Sequence, residues 1–338
     1  MIETILAGLT LILAFLLSYL FTKIWIPAAK KFGLVGRDLN KYHRPLVAEG
    51  GGIAVVFALT SSLYLYIFLK PIFGSLTHTA EIYATISAVV LAGFIGFADD
   101  VLGWKKGIRR RYKPFITAVL ALPFMTITYI HPEYNYFASW GIPAVVYSFL
   151  IVPIGIIGTS NAINMLGGYN GLESGISSII LLAIGIRALM LHEEWIAFMA
   201  FVSVATLLGF LYFNWYPAKV FPGDSLTYAI GTYIGALVIL GKMVFFGLAL
   251  FPLFFLDLIL AFRAEFIDHA GKILSQGVPH KNGTLELGYR HLYDSCHIAI
   301  VLQKKLRGYA TERGVVLTLY SIQLIIAFIV IGIAYIWG

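Results

Sequence analysis

Charge is what this chain has least of. Asp, Glu, Lys and Arg make up 12% of its 338 residues, about half of the roughly 25% typical of a soluble domain. It has a single cysteine, Cys296, which excludes an intrachain disulfide framework and a CxxC metal site. Internal repeats, low-complexity tracts and a soluble domain are all missing. The one long polar stretch, 263–315, is an amphipathic connector within a single polytopic domain of 1–338. A basic leader is missing too. The chain opens Met1-Ile2-Glu3 with no small-residue cleavage pattern behind its first apolar run, so that run is expected to be a retained helix.

What fills the space is hydrocarbon. Apolar residues make up 59% of the sequence, and the mean hydropathy is +0.86. A spanning helix needs roughly 20 apolar residues to cross about 30 Å of bilayer. Stretches 4–22, 50–69, 79–98, 114–131, 141–158, 172–190, 194–213, 225–241, 243–262 and 316–337 meet that need. The fold class expected is therefore an all-α integral membrane protein of about ten transmembrane helices. Of the 24 Lys and Arg, 21 fall on the odd-numbered loops, leaving Lys70, Arg187 and Lys242 elsewhere. Positive-inside bias then sets the odd loops in the cytoplasm and both termini outside. A net charge of +7 does not point to nucleic acid, because no soluble basic domain or aromatic-interleaved basic surface accompanies it.

The rare polar groups collect on those same loops. In "GFADDVLGWKKGIRRRYKP", Asp99 and Asp100 end the third span and precede six basic residues. A carboxylate so near the bilayer is a functional candidate by default, and an adjacent pair favours a divalent cation or a shared proton. In "NWYPAKVFPGDSLTYAIG", Asp224 enters the eighth span, where helix N-capping is the ordinary reading and metal binding the alternative. "GRDLNKYHRPLVAEGGG" ends in glycines that admit either a ligand against the backbone or a plain turn. In "NAINMLGGYNGLESG", the fifth loop, Asn161 and Asn164 offer hard amide oxygens suited to Mg²⁺. Gly167, Gly168 and Gly171 permit positive φ and could cradle an anion. Asn170 carries a donor and an acceptor that match the imide edge of uracil. An Asn/Gly-rich turn needing no ligand fits the spacing equally well.

Taken together and in this order, these segments resemble the polyprenyl-phosphate N-acetylhexosamine-1-phosphate transferase superfamily, and within it the eukaryotic and archaeal dolichyl-phosphate branch. The resembling pieces are "DLNK" (38–41), "GFADDVLG" (96–103), "NAINMLGGYNGLESG" (161–175), "NWYPAKVFPGD" (214–224) and "GTLELGYR" (283–290). Bacterial members carry two Asp residues where this chain has Gly167 and Asn170, which favours a dolichyl carrier and an archaeal source. The resemblance implies ten membrane helices with the active site at the cytoplasmic face. It makes Asn164 and Asp224 the ligands of Mg²⁺, with Mn²⁺ as the alternative ion. It makes Asn170 and Phe221 uracil contacts, Glu49 a nucleotide or ribose contact, and Asp99 and Asp100 the catalytic pair at the lipid phosphate. Gly103 and Trp104 fall where the family reads sugar and phosphate. Arg109, Arg110, Arg111 or Lys113 takes the place of the family's phosphate-binding lysine. The family's Arg/His-rich ninth loop is reduced to Pro279, His280 and Lys281, so His280 and Lys281 are the candidates for its role, with Arg263 and His269 as alternatives. Cys296 and His297 read as structural.

The activity implied is Mg²⁺-dependent transfer of GlcNAc-1-phosphate from UDP-GlcNAc to a polyprenyl or dolichyl phosphate in the membrane, with UMP released, as the opening membrane step of lipid-linked glycan (N-glycan) assembly. The localisation implied is the cell membrane for an archaeal source, or the endoplasmic reticulum for a eukaryotic one. Related transferases using UDP-GalNAc, UDP-MurNAc-pentapeptide or undecaprenyl phosphate are the runners-up, and a homodimer is the assembly considered. In-line positioning outweighs base catalysis, since a phosphate monoester with a pKa near roughly 6 is already ionised at neutral pH; covalent catalysis through an aspartate is the alternative. A transporter without chemistry would place polar groups at mid-span and show internal symmetry, and neither pattern is present.

Overall fold

The computed structural model describes residues 2–73, 77–103, 112–270 and 276–337. Trp104, Arg109, Arg110 and Arg111 lie outside the described residues. In chain order the helices are α1 (Ile2–Lys31), α2 (Gly52–Phe73), α3 (Thr79–Gly103), α4 (Lys113–Thr117), α5 (Leu122–Ile130), α6 (Ala144–Val146), α7 (Val152–Met165), α8 (Leu172–Met190), α9 (Glu194–Asn214), α10 (Gly223–Leu240), α11 (Val244–Ala249), α12 (Pro252–Phe262), α13 (Ser295–Arg307) and α14 (Glu312–Trp337). Short turns join α4 to α5 and α6 to α7, so that Lys113–Ile130 and Ala144–Met165 each run as one span. Among the described residues, nine helices are long and apolar enough to cross a membrane. This is an all-α integral membrane protein.

Proline and glycine set the joints. Pro114 and Pro252 each stand in the first turn of a helix, where the missing N–H costs nothing and φ is already helical. Pro123 and Pro153 instead lie inside their spans, just after the irregular helical stretches Ala118–Ala121 and Tyr147–Ile151. Pro252 also explains why the stretch expected as one span over 243–262 is two pieces. It cannot donate back to the helix before it, so α11 ends at Ala249 and α12 restarts beyond a break at Leu250 and Phe251. The expected span 141–158 is longer than its apolar run: α7 continues to Met165, which makes Asn161 and Asn164 helical rather than loop residues.

At the centre stands α10, whose membrane window is 89% buried, against 28% for α1 and 22% for α14. It packs against α3 and α7, while α9 packs against α8 and α1. Close approach at its first turn depends on glycines of its neighbours. A Cβ at Gly52 would strike the backbone of Leu226, and one at Gly96 would strike the carbonyl of Asp224. Within the Gly50–Gly52 run, Gly50 takes a positive φ of 67°, as the turn reading requires, and Gly52 lets α2 pack against α10.

Two small sheets sit at the same end of the bundle. β1 (Val35–Arg37) pairs antiparallel with β2 (Leu46–Ala48), with Val35 opposite Ala48. Ala48 also bridges Val220, and the Phe221 N–H donates to the Ala48 carbonyl at 2.7 Å. β3 (Val278–Pro279), β4 (Thr284–Glu286) and β5 (Ala310–Thr311) form an antiparallel three-stranded sheet. That sheet delivers the chain directly into α14.

Candidate active site

The site begins with an interhelix cap. The first N–H groups of a helix lack internal partners, and those of α10 find theirs on α3: Asp100 Oδ1 accepts from the Asp224 N–H at 2.7 Å, and Oδ2 from the Ser225 N–H at 3.2 Å. Asp224 itself is not the cap. The capping position belongs to Pro222, which makes no side-chain bond. The sequence reading of Asp224 as an ordinary N-cap is thus corrected, because a carboxylate from another helix fills that need and leaves Asp224 free for other partners.

Asp224 uses both oxygens. Oδ1 accepts from Asn164 Nδ2 at 2.6 Å, and Oδ2 accepts from Lys113 Nζ at 2.6 Å. Lys113 reaches on to Asp99 Oδ2 at 3.0 Å, and Asp99 is buried. Asn164 Nδ2 also donates to Thr227 Oγ1 at 2.8 Å. Thus the ends of α3, α4, α7 and α10 meet in one chain running Asp99, Lys113, Asp224, Asn164, Thr227. Of the four basic candidates between 109 and 113, Lys113 is the one the described structure brings here. Asn161 points elsewhere: its Nδ2 donates to Thr117 Oγ1 at 3.0 Å and to the Ile157 carbonyl at 2.8 Å. It ties α4 to α7 and does not join Asn164.

Beside this cluster lies a polar cavity of about 240 Å³. Its walls include Arg37, Asp38, Asn40, Asn164, Gly168, Asn170, Phe221 and Asp224. The turn that forms one wall has positive φ at Gly168 (122°) and Gly171 (85°), values that favour glycine. Gly167 does not share that conformation; a Cβ there would press on Glu173 Oε1. Asn170 is 3% exposed and heavily engaged. Its Nδ2 donates to Asp38 Oδ2 at 3.1 Å and to Glu312 Oε1, and its Oδ1 accepts from the Ala218 N–H at 2.8 Å. One Oδ1 lone pair is what remains for a base.

Three expected contacts are not among the cavity's walls. Glu49 is half-buried behind β1, where a Cβ on Gly36 would collide with its carboxylate, and burial lifts its carboxyl above the ordinary glutamate range. His280 and Lys281 sit at the turn between β3 and β4, His280 3.6 Å from Glu286 and Lys281 5.7 Å above the Tyr42 ring. The site also involves Thr227 and Glu312, which the motif reading passed over, and Asp38 and Asn40, which lie in the "DLNK" motif but were given no role. Thr227 had a legible signal, since it lies three residues from Asp224 and so on the same helix face.

A second cavity, of about 370 Å³, is lined almost wholly by apolar groups. It lies between α7, α10 and the broken α11–α12 pair, with Pro114, Ile154, Gly158, Asn161, Met165, Phe254 and Leu258 among its walls. The end of α7 stands between the two cavities, with Asn161 and Met165 lining the apolar one and Asn164 the polar one.

Residues 82–242 match the model of glycosyl transferase family 4. A Saccharolobus solfataricus protein, provisionally named UDP-N-acetylglucosamine–dolichyl-phosphate N-acetylglucosaminephosphotransferase, is 30% identical over 288 residues, covering 80% of this chain and 85% of the relative. The chain belongs to glycosyl transferase family 4. A Sulfolobus acidocaldarius protein of the same provisional name is 29% identical over 80% of this chain and 83% of its own. The phospho-N-acetylmuramoyl-pentapeptide-transferase of Prochlorococcus marinus is 28% identical over 69% of this chain and 68% of its own. The resemblance read from the five motifs is therefore real, and the matched region of this family 4 membrane transferase contains Asp99, Lys113, Asn164 and Asp224.

Proposed function

We propose that this family 4 transferase moves GlcNAc-1-phosphate from UDP-GlcNAc to a dolichyl-type polyprenyl phosphate, releasing UMP at the cytoplasmic face. The observation that carries this reading is the junction at the end of α7. There Asn164 lines a polar cavity and the next residue, Met165, lines an apolar groove, with Lys113, Asp99 and Asp224 bonded together beside them. A water-soluble nucleotide sugar and an oily phosphate need such a meeting place. The names of the archaeal relatives support the same pair of substrates.

In this reading the groove between α7 and α12 takes the isoprenoid tail and the polar cavity takes the nucleotide. An oxygen of the lipid phosphate attacks the β-phosphorus of UDP-GlcNAc. The bond to the bridging oxygen breaks, and UMP leaves with that electron pair. Such transfer depends chiefly on positioning and charge neutralisation. The Lys113 ammonium supplies fixed positive charge at the point where both phosphates arrive. Asp99 holds that ammonium in place and orients the lipid phosphate. Asp100 sets the position of Asp224 by capping its helix.

The residue types fit a Mg²⁺ ion, since the Asn164 amide and the Asp224 carboxylate adjoin and each carries a hard oxygen. In this structure the amide turns its Nδ2 to Asp224 Oδ1 and Lys113 holds Oδ2, so an ion bound there would take the place of those two contacts. Mg²⁺ characteristically takes one or two protein ligands and fills its sphere with waters and phosphate oxygens, so no larger acidic cage is required. Bound there, the ion would supply Lewis-acid neutralisation of diphosphate charge. The test is donor competition in the purified protein with dolichyl phosphate present: UDP-GlcNAc is expected to give labelled lipid and UMP, whereas UDP-GalNAc and UDP-MurNAc-pentapeptide give little. Release of UDP in place of UMP would overturn the proposed bond cleavage.

A further inference from the structure

Asn170 is held by residues to which the transfer reading gives no task. Glu312, the first residue of α14, is 3% exposed and lies 142 residues from Asn170 in sequence. Its Oε1 accepts from both the side-chain Nδ2 and the backbone N–H of Asn170, the latter at 3.2 Å. Its Oε2 accepts from Lys41 Nζ, which also donates to Asp38 Oδ2 at 2.9 Å. The Lys41 ammonium lies 4.2 Å from the centroid of the Tyr216 ring, and the Arg313 guanidinium lies 4.5 Å from it. Asn40 Nδ2 donates to the Gly168 carbonyl. The first, fifth and seventh loops and the start of α14 thus converge on one amide.

The partners of this network are cavity walls. Asp38, Asn40, Gly168 and Asn170 all line the polar cavity, whereas α14 is already seated by its packing against α8 and α13. A carboxylate buried this deeply is costly unless paired and hydrogen-bonded. Here Lys41 pairs it and Asn170 bonds it. The side chains that assemble around the phosphates (Asp99, Lys113, Asp224, Asn164) belong to the other hydrogen-bonded chain.

We infer that Glu312 is a positioning residue for the nucleotide: held by Lys41 and acting through Asn170, it fixes the 167–171 turn against which the uridine half of the donor binds. The inference rests on the transfer reading for the identity of that nucleotide. Its consequence is a separation of kinetic effects, because loosening a binding wall weakens substrate affinity without removing a group that acts in the transition state.

The experiment uses the full-length protein in proteoliposomes, with Glu312→Ala, Glu312→Gln and Lys41→Met compared against the parent. It measures kcat, KM for UDP-GlcNAc, KM for dolichyl phosphate and direct UDP binding by calorimetry. Loss of a charge-assisted hydrogen bond predicts a rise of about tenfold to a hundredfold in KM for UDP-GlcNAc and in the Kd for UDP with Glu312→Ala. The expected change in kcat and in KM for dolichyl phosphate is within about twofold on the same reasoning. Glu312→Gln, which keeps an acceptor for Asn170, should fall between the parent and Glu312→Ala. A fall in kcat with unchanged KM and unchanged UDP binding would overturn the inference, as would a loss of thermal stability in all three variants with UDP affinity intact. If the parent turns nothing over yet binds UDP, the transfer reading fails alone and the UDP arm still decides the role of Glu312. A parent that does not bind UDP overturns both.

Discussion

Asp100 Oδ1 accepts the backbone N–H of Asp224 at 2.7 Å, so the end of α3 fixes where α10 begins. Every other site contact on α10 inherits its position from that bond. Two neighbouring aspartates consequently do different work: Asp100 caps a helix, and Asp99 faces Lys113.

Replacing Asp100 with Ala leaves two N–H groups at the α10 terminus without their acceptor. Caps of this kind are worth about 0.5–2 kcal/mol, so the variant should unfold at lower temperature in detergent and lose activity in parallel. An unchanged unfolding temperature would show that water replaces the cap at no cost.

Lys113→Met removes the ammonium between Asp99 and Asp224 while keeping most of the side chain's bulk. Losing a preorganised charge at a transfer site costs about 10²–10³ in kcat, and that is the range expected here. Lys113→Arg should recover only part of it, because a planar fork does not replace a point charge held between two carboxylates. The check is steady-state UMP release.

Thr227→Val deletes the hydroxyl that accepts from Asn164 Nδ2. With the amide less firmly oriented, the Mg²⁺ concentration for half-maximal activity should rise about tenfold, in line with the effect of removing a partner of a metal ligand. Saturating Mg²⁺ should restore most of the rate. A rate defect that excess metal does not repair would place Thr227 in another role.

Gly158 lines the apolar groove, and a Cβ added there meets nothing within 4 Å. Gly158→Leu therefore fills the groove without straining the helix. Overfilling a packed apolar space costs roughly 1–3 kcal/mol, which predicts a rise of about tenfold in KM for dolichyl phosphate and little change in KM for UDP-GlcNAc. An equal rise for both substrates would remove the groove from acceptor binding.

Hydrophobic run length made the membrane helices legible, since crossing a bilayer imposes a length that composition reveals directly. The break at Leu250 and Phe251 was less visible, because both halves are apolar and Pro252 alone marks the joint. Within the site, Asn164 and Asp224 were readable as motif residues, and the structure brings them together. Asp100 as a cap for α10 was not readable: a cap supplied from another helix leaves no local signature, whereas Gly223-Asp224-Ser225 carries the usual local one. Glu312 was hidden for the same reason, and Asp38 was legible only as part of the "DLNK" motif without its partner, as hydrogen bonds across more than a hundred residues have no spacing rule. Lys113 was readable as one of four basic candidates, and it is the one of them among the described residues, where it bonds Asp99 and Asp224.

The central claim is that a nucleotide sugar and a lipid phosphate react where the two cavities meet. Its most direct test is a transfer assay of the purified protein in liposomes, using UDP-GlcNAc labelled in the sugar, Mg²⁺ and dolichyl phosphate, with labelled lipid and UMP quantified together. The account predicts that both form in equal amounts, only when dolichyl phosphate is present, and that Asp224→Asn loses Mg²⁺-dependent turnover. Neither product forming alongside an active control enzyme, or full Mg²⁺-dependent activity in Asp224→Asn, would contradict it.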